Sequence, residues 1–295
     1  MKVLAIIPAR MGASRFPGKP LEKLLGMPMI GHCYFRAKIA LGQDNVWIAT
    51  CDDEIRSYSQ TIGAKAIDTS AKHTRATGRT AEALDSIELN AKLKFEIILM
   101  VQADEPLVMP DDLTCMLDSF SDPRVTIVNL MCKAQTRAHF YDKNNVKVVV
   151  NNAMDALYFS REPIPSDWKN FDNIPRYIQT GVIAFRREAL LHFNYLPETP
   201  LEIAESVDMN RVIEAGGAVR MLLTESPMLS VDTTEDLAAA EIAEDEGIEM
   251  ITFHPRTVNQ GYSGNADWEL YLDLFHDLIE NKINFRIILY RYSLI

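Results

Sequence analysis

Val3-Leu4-Ala5-Ile6-Ile7-Pro8-Ala9-Arg10-Met11-Gly12-Ala13-Ser14-Arg15-Phe16-Pro17-Gly18-Lys19-Pro20-Leu21 decides the fold class. The apolar run Val3–Ile7, ended by Pro8, reads as a strand buried on both faces, as in parallel sheets. After it comes a loop of small residues that carries Arg10, Arg15 and Lys19 in an otherwise acidic chain. Small residues let backbone N–H groups approach an anion, and open α/β sheets take ligands at the carboxyl ends of their strands. Pro8, Ala9, Arg10, Arg15 and Lys19 therefore form a candidate triphosphate site. Five residues separate Gly12 from Gly18 where a Walker loop has four, and Pro20 follows Lys19, so this is not that motif. It is not a G-x-G-x-x-G dinucleotide fingerprint either. The competing reading is a basic surface loop with turn glycines.

The same rhythm continues outward. Val46–Thr50, Ile97–Val101 and Thr126–Met131 read as buried strands, and the stretches near Met29–Ala40, Asp53–Thr61, Arg79–Leu93 and Pro110–Phe120 as helices between them. Strand-then-helix alternation predicts an α/β fold with a doubly wound, mainly parallel sheet. Beyond residue 144, Val146–Val150, Ala156–Ser160 and Gly181–Phe185 are strand-like around a polar stretch, Glu162–Arg176, which suggests an inserted strand-rich arm over about 145–195. A helix over 201–215, a strand over Val219–Leu223 and a helix over Thr233–Glu246 return the chain to its first pattern. The segment 245–295 changes character, with a helix expected over Asp267–Ile279 and a strand over Phe285–Tyr290.

Composition narrows the function. With 30 Lys and Arg against 41 Asp and Glu, the formal charge of −11 repels nucleic acid and anionic membranes unless a local basic patch overrides it. Cys33, Cys51, Cys115 and Cys132 stand far apart with no C-x-x-C pair, which fits free thiols in a reducing compartment. The first apolar run is too short for a signal-peptide core or a membrane span. A cytoplasmic protein with no membrane insertion is expected.

Two carboxylates stand out as candidate metal ligands. Asp104, in Val101-Gln102-Ala103-Asp104-Glu105-Pro106, follows a central strand next to the polyanion loop, where Mg²⁺ can share oxygen ligands with substrate phosphates. Asp232, in Val231-Asp232-Thr233-Thr234-Glu235-Asp236-Leu237, again sits at a strand-to-helix junction; its competing reading is a helix N-cap.

Together with Asn145-Val146-Lys147-Val148-Val149, Ala156-Leu157-Tyr158-Phe159-Ser160-Arg161 and Ile164-Pro165, these motifs resemble in order and spacing the 3-deoxy-manno-octulosonate (Kdo) cytidylyltransferases, or CMP-Kdo synthetases, over roughly residues 1–244. The resemblance implies a nucleotide-diphospho-sugar transferase fold and transfer of CMP from CTP to the anomeric hydroxyl of a 2-keto sugar acid, for lipopolysaccharide or another surface glycan. It implies that Arg10, Arg15 and Lys19 hold the triphosphate, that Thr77 and Arg79 border the nucleotide, and that Asp104 and Asp232 hold Mg²⁺. Lys19, Asp104 and Asp232 would then be the catalytic set. Arg161 would pair with the sugar carboxylate, Gln102 and Glu205 would line the sugar pocket, and a homodimer would form through the arm.

The chain also departs from the family pattern. Ser-Gly-Thr-x-Arg reads Arg75-Ala76-Thr77-Gly78-Arg79, His-x-Gly reads Gln179-Thr180-Gly181, and Glu-Gln-Leu-Arg reads Asp208-Met209-Asn210-Arg211. Two of these fall in the sugar region, so Gln179, Asp208 and Met209 are expected at the acceptor, with Gln179 and Met209 setting which acceptor is used, since a site built for a hydroxyl discriminates against losing that partner. The alternatives are another acid acceptor, such as a nonulosonate or a phosphonate, or a non-catalytic nucleotide- or sugar-binding homologue.

Overall fold

The computed structural model describes residues 1–12, 16–134, 136–166, 168, 174–226 and 238. Strand β1 (Val3–Pro8) leads through the cationic loop and a small hairpin, β2 (Lys23–Leu24) with β3 (Met27–Pro28), into helix α1 (Met29–Leu41). Then come β4 (Val46–Thr50), α2 (Asp53–Thr61), β5 (Lys65–Asp68), α3 (Ala76–Ala91), β6 (Ile97–Val101), α4 (Pro110–Asp118) and β7 (Ile127–Lys133). The second half adds α5 (Arg137–Tyr141), β8 (Lys147–Val150), β9 (Ala156–Ser160), β10 (Tyr177–Arg186), α6 (Arg187–Tyr195), α7 (Pro200–Glu205), α8 (Met209–Glu214) and β11 (Arg220–Leu223).

The main sheet runs β11-β7-β10-β6-β1-β4-β5. Pairings β1–β4, β1–β6, β4–β5 and β7–β11 are parallel, whereas β10 lies antiparallel between β6 and β7. The sheet is thus mixed but mostly parallel, with helices on both faces. Along β1, Ala5 and Ile7 pack toward α1, α2 and α4, while Leu4 and Ile6 pack toward α3 and α6. Strand β6 divides the same way, Leu99 and Val101 against Ile98 and Met100. Covering both faces is why these strands read as unbroken apolar runs, each fully buried Leu or Ile contributing roughly 1.5–3 kcal/mol.

The stretch expected as an arm, 145–195, divides in two. Strands β8 and β9 form an antiparallel hairpin off the main path, attached through the start of β10. The rest of β10 and α6 belong to the main body, with Ala184 and Phe185 paired to both β6 and β7. The single helix expected over 201–215 is two, because Ser206 takes a left-handed conformation (φ 55°) that ends α7. Helix α3 begins at Ala76, three residues before the expected Arg79.

Among the described residues no helix is long and apolar enough to cross a membrane. All four cysteines are free, Cys33 and Cys132 buried, Cys115 exposed. The elements expected over Thr233–Glu246, Asp267–Ile279 and Phe285–Tyr290 lie outside the described residues, apart from helical Ala238.

Candidate active site

The cationic loop is closed by its own backbone. Gly18 N–H donates to the Met11 carbonyl (3.0 Å), and Gly18 has φ 79°, a left-handed conformation that glycine adopts without the Cβ clash other residues meet. The Met11 N–H donates to Asp52 Oδ2 (2.8 Å), which fastens the loop to the end of β4. Lys19 is thereby brought over the end of β6, where its Nζ lies 2.7 Å from Asp104 Oδ2. Arg10 is exposed and reaches the His73 carbonyl (3.4 Å). Arg79 is buried and donates to the Thr69 hydroxyl and to Cys51 Sγ (3.7 Å). Pro8, Ala9, Arg10, Lys19, Arg79 and Asp104 share the wall of one cavity of about 240 Å³.

A second cavity, about 330 Å³, adjoins it. Thr74, Arg75, Ala76, Gln102 and Asp104 belong to both walls. Its far side is built by a bulge. Register against β7 breaks between Gln179 and Ile183, and buried Asn129 fills the gap by donating to the Thr180 (3.0 Å) and Val182 (2.9 Å) carbonyls. Gln179 Nε2 donates in turn to Asn129 Oδ1 (2.6 Å). The bulge turns Gly181 toward the loop after β6: its N–H donates to Glu105 Oε1, and its carbonyl accepts from Gln102 N–H (3.1 Å).

The remaining wall comes from the hairpin and from α8. Arg161 Nε donates to the Glu205 carbonyl (2.8 Å), and its Nη1 to the Lys143 (2.9 Å) and Asn144 (3.2 Å) carbonyls. Fully buried Lys147 donates from Nζ to the carbonyls of Asp142 (2.9 Å), Asn145 (2.7 Å) and Arg161, so one ammonium ties the 142–145 turn to the end of β9. Burial lowers the Lys147 pKa to about 8. Asp208 Oδ2 accepts from the Thr77 hydroxyl (2.7 Å) while Oδ1 faces Arg75 Nη1 (3.2 Å). Burial raises the Asp208 pKa, and the Thr77 bond and the Arg75 charge pull against that rise.

Of the residues expected at the nucleotide, Pro8, Ala9, Arg10, Lys19 and Arg79 gather in the first cavity; of those expected at the acceptor, Gln102, Arg161, Gln179, Asp208 and Met209 line the second, Gln102 on the wall it shares with the first. Two fall elsewhere. Thr77 lines the second cavity, because the early start of α3 turns its hydroxyl to Asp208. Glu205 stands behind the wall: its carboxylate accepts from Tyr158 OH, Ser160 Oγ and the Arg161 N–H, each at 2.8 Å. Arg15 and Asp232 lie outside the described residues. Sequence reasoning gave no role to Arg75 and His73, which line the first cavity. The arginine standing where the family pattern has serine was the signal for Arg75; His73 carried none.

A mixed sheet with a cation-lined cavity at its carboxyl edge, sharing a wall with a second polar cavity, defines a nucleotide-dependent transferase. The chain belongs to the cytidylyltransferase family, whose model matches residues 4–226. It is 37% identical over 249 residues to the 3-deoxy-manno-octulosonate cytidylyltransferase of Escherichia coli, covering 82% of this chain and 98% of that one. It is 33% identical to the 8-amino-3,8-dideoxy-manno-octulosonate cytidylyltransferase of Shewanella baltica, again over 82% and 98%. The solved structure of a CMP:2-keto-3-deoxy-manno-octonic acid synthetase complexed with CTP superposes with a TM-score of 0.73 at 35% identity, covering 83% of this chain and 99% of that one.

Proposed function

We propose that this protein transfers CMP from CTP to the anomeric hydroxyl of a 2-keto-3-deoxy sugar acid, Kdo or a modified Kdo, and releases pyrophosphate. The carrying observation is the wall common to both cavities: a donor in one and an acceptor in the other meet across Gln102 and Asp104. The hydroxyl oxygen attacks the α-phosphorus, the bond to the β-phosphate oxygen breaks, pyrophosphate leaves with the electron pair, and the hydroxyl proton is lost. Charge grows on the phosphoryl oxygens and the leaving group, so Arg10, Lys19 and Arg79 act by fixed electrostatic stabilisation, with Arg15 proposed beside them. Thr74–Ala76 add the positive end of α3, whose first turn holds no acidic side chain.

The residues present fit Mg²⁺. Asp104 offers a hard carboxylate oxygen where the cavities join, beside the cations of the nucleotide cavity. Magnesium takes such oxygen ligands one or two at a time and shares the rest of its shell with substrate phosphates. Asp104 would hold it, with Asp232 proposed as the second ligand. The ion supplies charge neutralisation at the triphosphate; Lys19, bonded to Asp104, sets that carboxylate's orientation.

Residues 1–244 are proposed as the transferase domain and 245–295 as an extension. A homodimer through the β8–β9 excursion is proposed as well, since Leu157 on β9 is an apolar side chain left 56% exposed among the described residues. The test of function is pyrophosphate release from CTP and Mg²⁺ with a panel of 2-keto sugar acids, including Kdo and its 8-amino derivative. Release with at least one acid, lowered by orders of magnitude in Asp104→Asn, supports the reading. No release with any acid, or an unaffected Asp104→Asn, ends it.

A further inference from the structure

The second cavity presents two guanidinium groups in different states of commitment. Arg161 spends Nε and Nη1 on three backbone carbonyls. Arg75, the residue preceding α3, stands on the wall common to both cavities and uses Nη1 alone, toward Ser206 Oγ (3.2 Å) and Asp208 Oδ1 (3.2 Å). Its guanidinium makes no other hydrogen bond or ion pair among the described residues.

We infer that Arg75, which stands where the family pattern has serine, gives this chain a contact of its own to the carboxylate of the acceptor. This rests on the functional reading above. In such an acid the carboxylate carbon is bonded to the anomeric carbon, so it lies two covalent bonds from the attacking oxygen. The carboxylate must therefore sit where the two cavities join, next to the α-phosphate and Asp104, and not deep in the acceptor cavity. Beside any ion on Asp104, a carboxylate placed there needs a cation of its own. On the wall common to both cavities that cation is Arg75, whereas Lys19 is bonded to Asp104 and Arg161 turns Nε and Nη1 to backbone carbonyls. Asp208 restrains Arg75 through one nitrogen and is itself pinned by Thr77, so the Nε and Nη2 side of the fork is the side that meets a ligand.

The experiment compares the preferred sugar acid with its C1 carboxamide, with CTP binding measured separately by calorimetry. A carboxamide keeps the shape and loses the charge. Arg75→Gln is expected to raise KM for the acid about tenfold or more, to hold CTP affinity within about twofold, and to abolish the preference for acid over amide. Asp208→Asn is the second variant: it relieves Arg75 of its counter-charge, so the preference for acid is kept or increased. A purely structural role for the pair predicts instead that both variants harm acid and amide alike. CTP binding together with an undiminished acid preference in Arg75→Gln overturns the inference alone, as does loss of that preference only in Arg161→Gln. Failure of the wild type to bind CTP overturns the functional reading and this inference with it.

Discussion

Glu205 shows how one side chain can hold a site without facing it. Burial pushes its carboxyl pKa up, but the bonds from Arg161 N–H, Ser160 and Tyr158 outweigh that, and the net shift is downward from 4.5. Its folded pKa is below its unfolded one, so its stabilisation is fully present above the unfolded value and disappears as pH falls through the folded value. Glu205→Gln should therefore cost roughly 1–3 kcal/mol at pH 7. In urea titrations the gap to wild type should narrow below about pH 4.5. A gap independent of pH would show that the carboxylate's charge plays no part. At this scale the sequence disclosed chemistry better than orientation. Lys19 and Asp104 were legible because a cationic loop and a lone carboxylate each follow a central strand. The aim of Thr77 and Glu205 was not, because it depends on where α3 starts and where α7 stops.

The bulge in β10 is the element on which the acceptor cavity depends. A Cβ added at Gly181 would come within 3.0 Å of Gln102 Cβ and Cδ and of Glu105 Oε1. The loop after β6, which carries Asp104, would have to give way by a few tenths of an ångström. Gly181→Ala should lower turnover at least tenfold while costing roughly 1–3 kcal/mol, the usual range for overpacking. Unchanged kinetics would mean that the loop yields without disturbing Asp104. The bulge was hidden from the sequence because its cause, Asn129, lies on a strand some fifty residues earlier. Apolar runs exposed β1, β4 and β6 at once, since both faces of those strands are covered. Strand β5, Lys65-Ala66-Ile67-Asp68, escaped because it is a partly exposed edge strand with polar ends. The break between α7 and α8 escaped because a serine in a left-handed turn leaves no mark in helical periodicity.

For the whole molecule, the proposed dimer turns on the hairpin. Leu157 is more than half exposed on β9 among the described residues, an apolar side chain that contact with a second copy would bury. Wild type is expected to run as a dimer in light scattering at micromolar concentration, and Leu157→Asp as a monomer with unchanged circular dichroism. A wild-type monomer across that range would exclude the dimer, and a dimeric Leu157→Asp would place the interface elsewhere.

The antiparallel wedge of β10 also puts the parts of this protein in an order in time. Strand β6 is complete at residue 101, yet its neighbour on one side is made of residues 182–186. A ribosome emitting about 5–20 residues per second leaves that flank bare for several seconds, with five fully apolar residues along it and the loop that bears Asp104 lacking Gly181 behind it. Nascent chains arrested before residue 177 should be cut readily by protease near residues 102–105, and chains arrested well past 186 should resist. The reaction centre is therefore a late product of synthesis, although its most recognisable residues are among the first to be made.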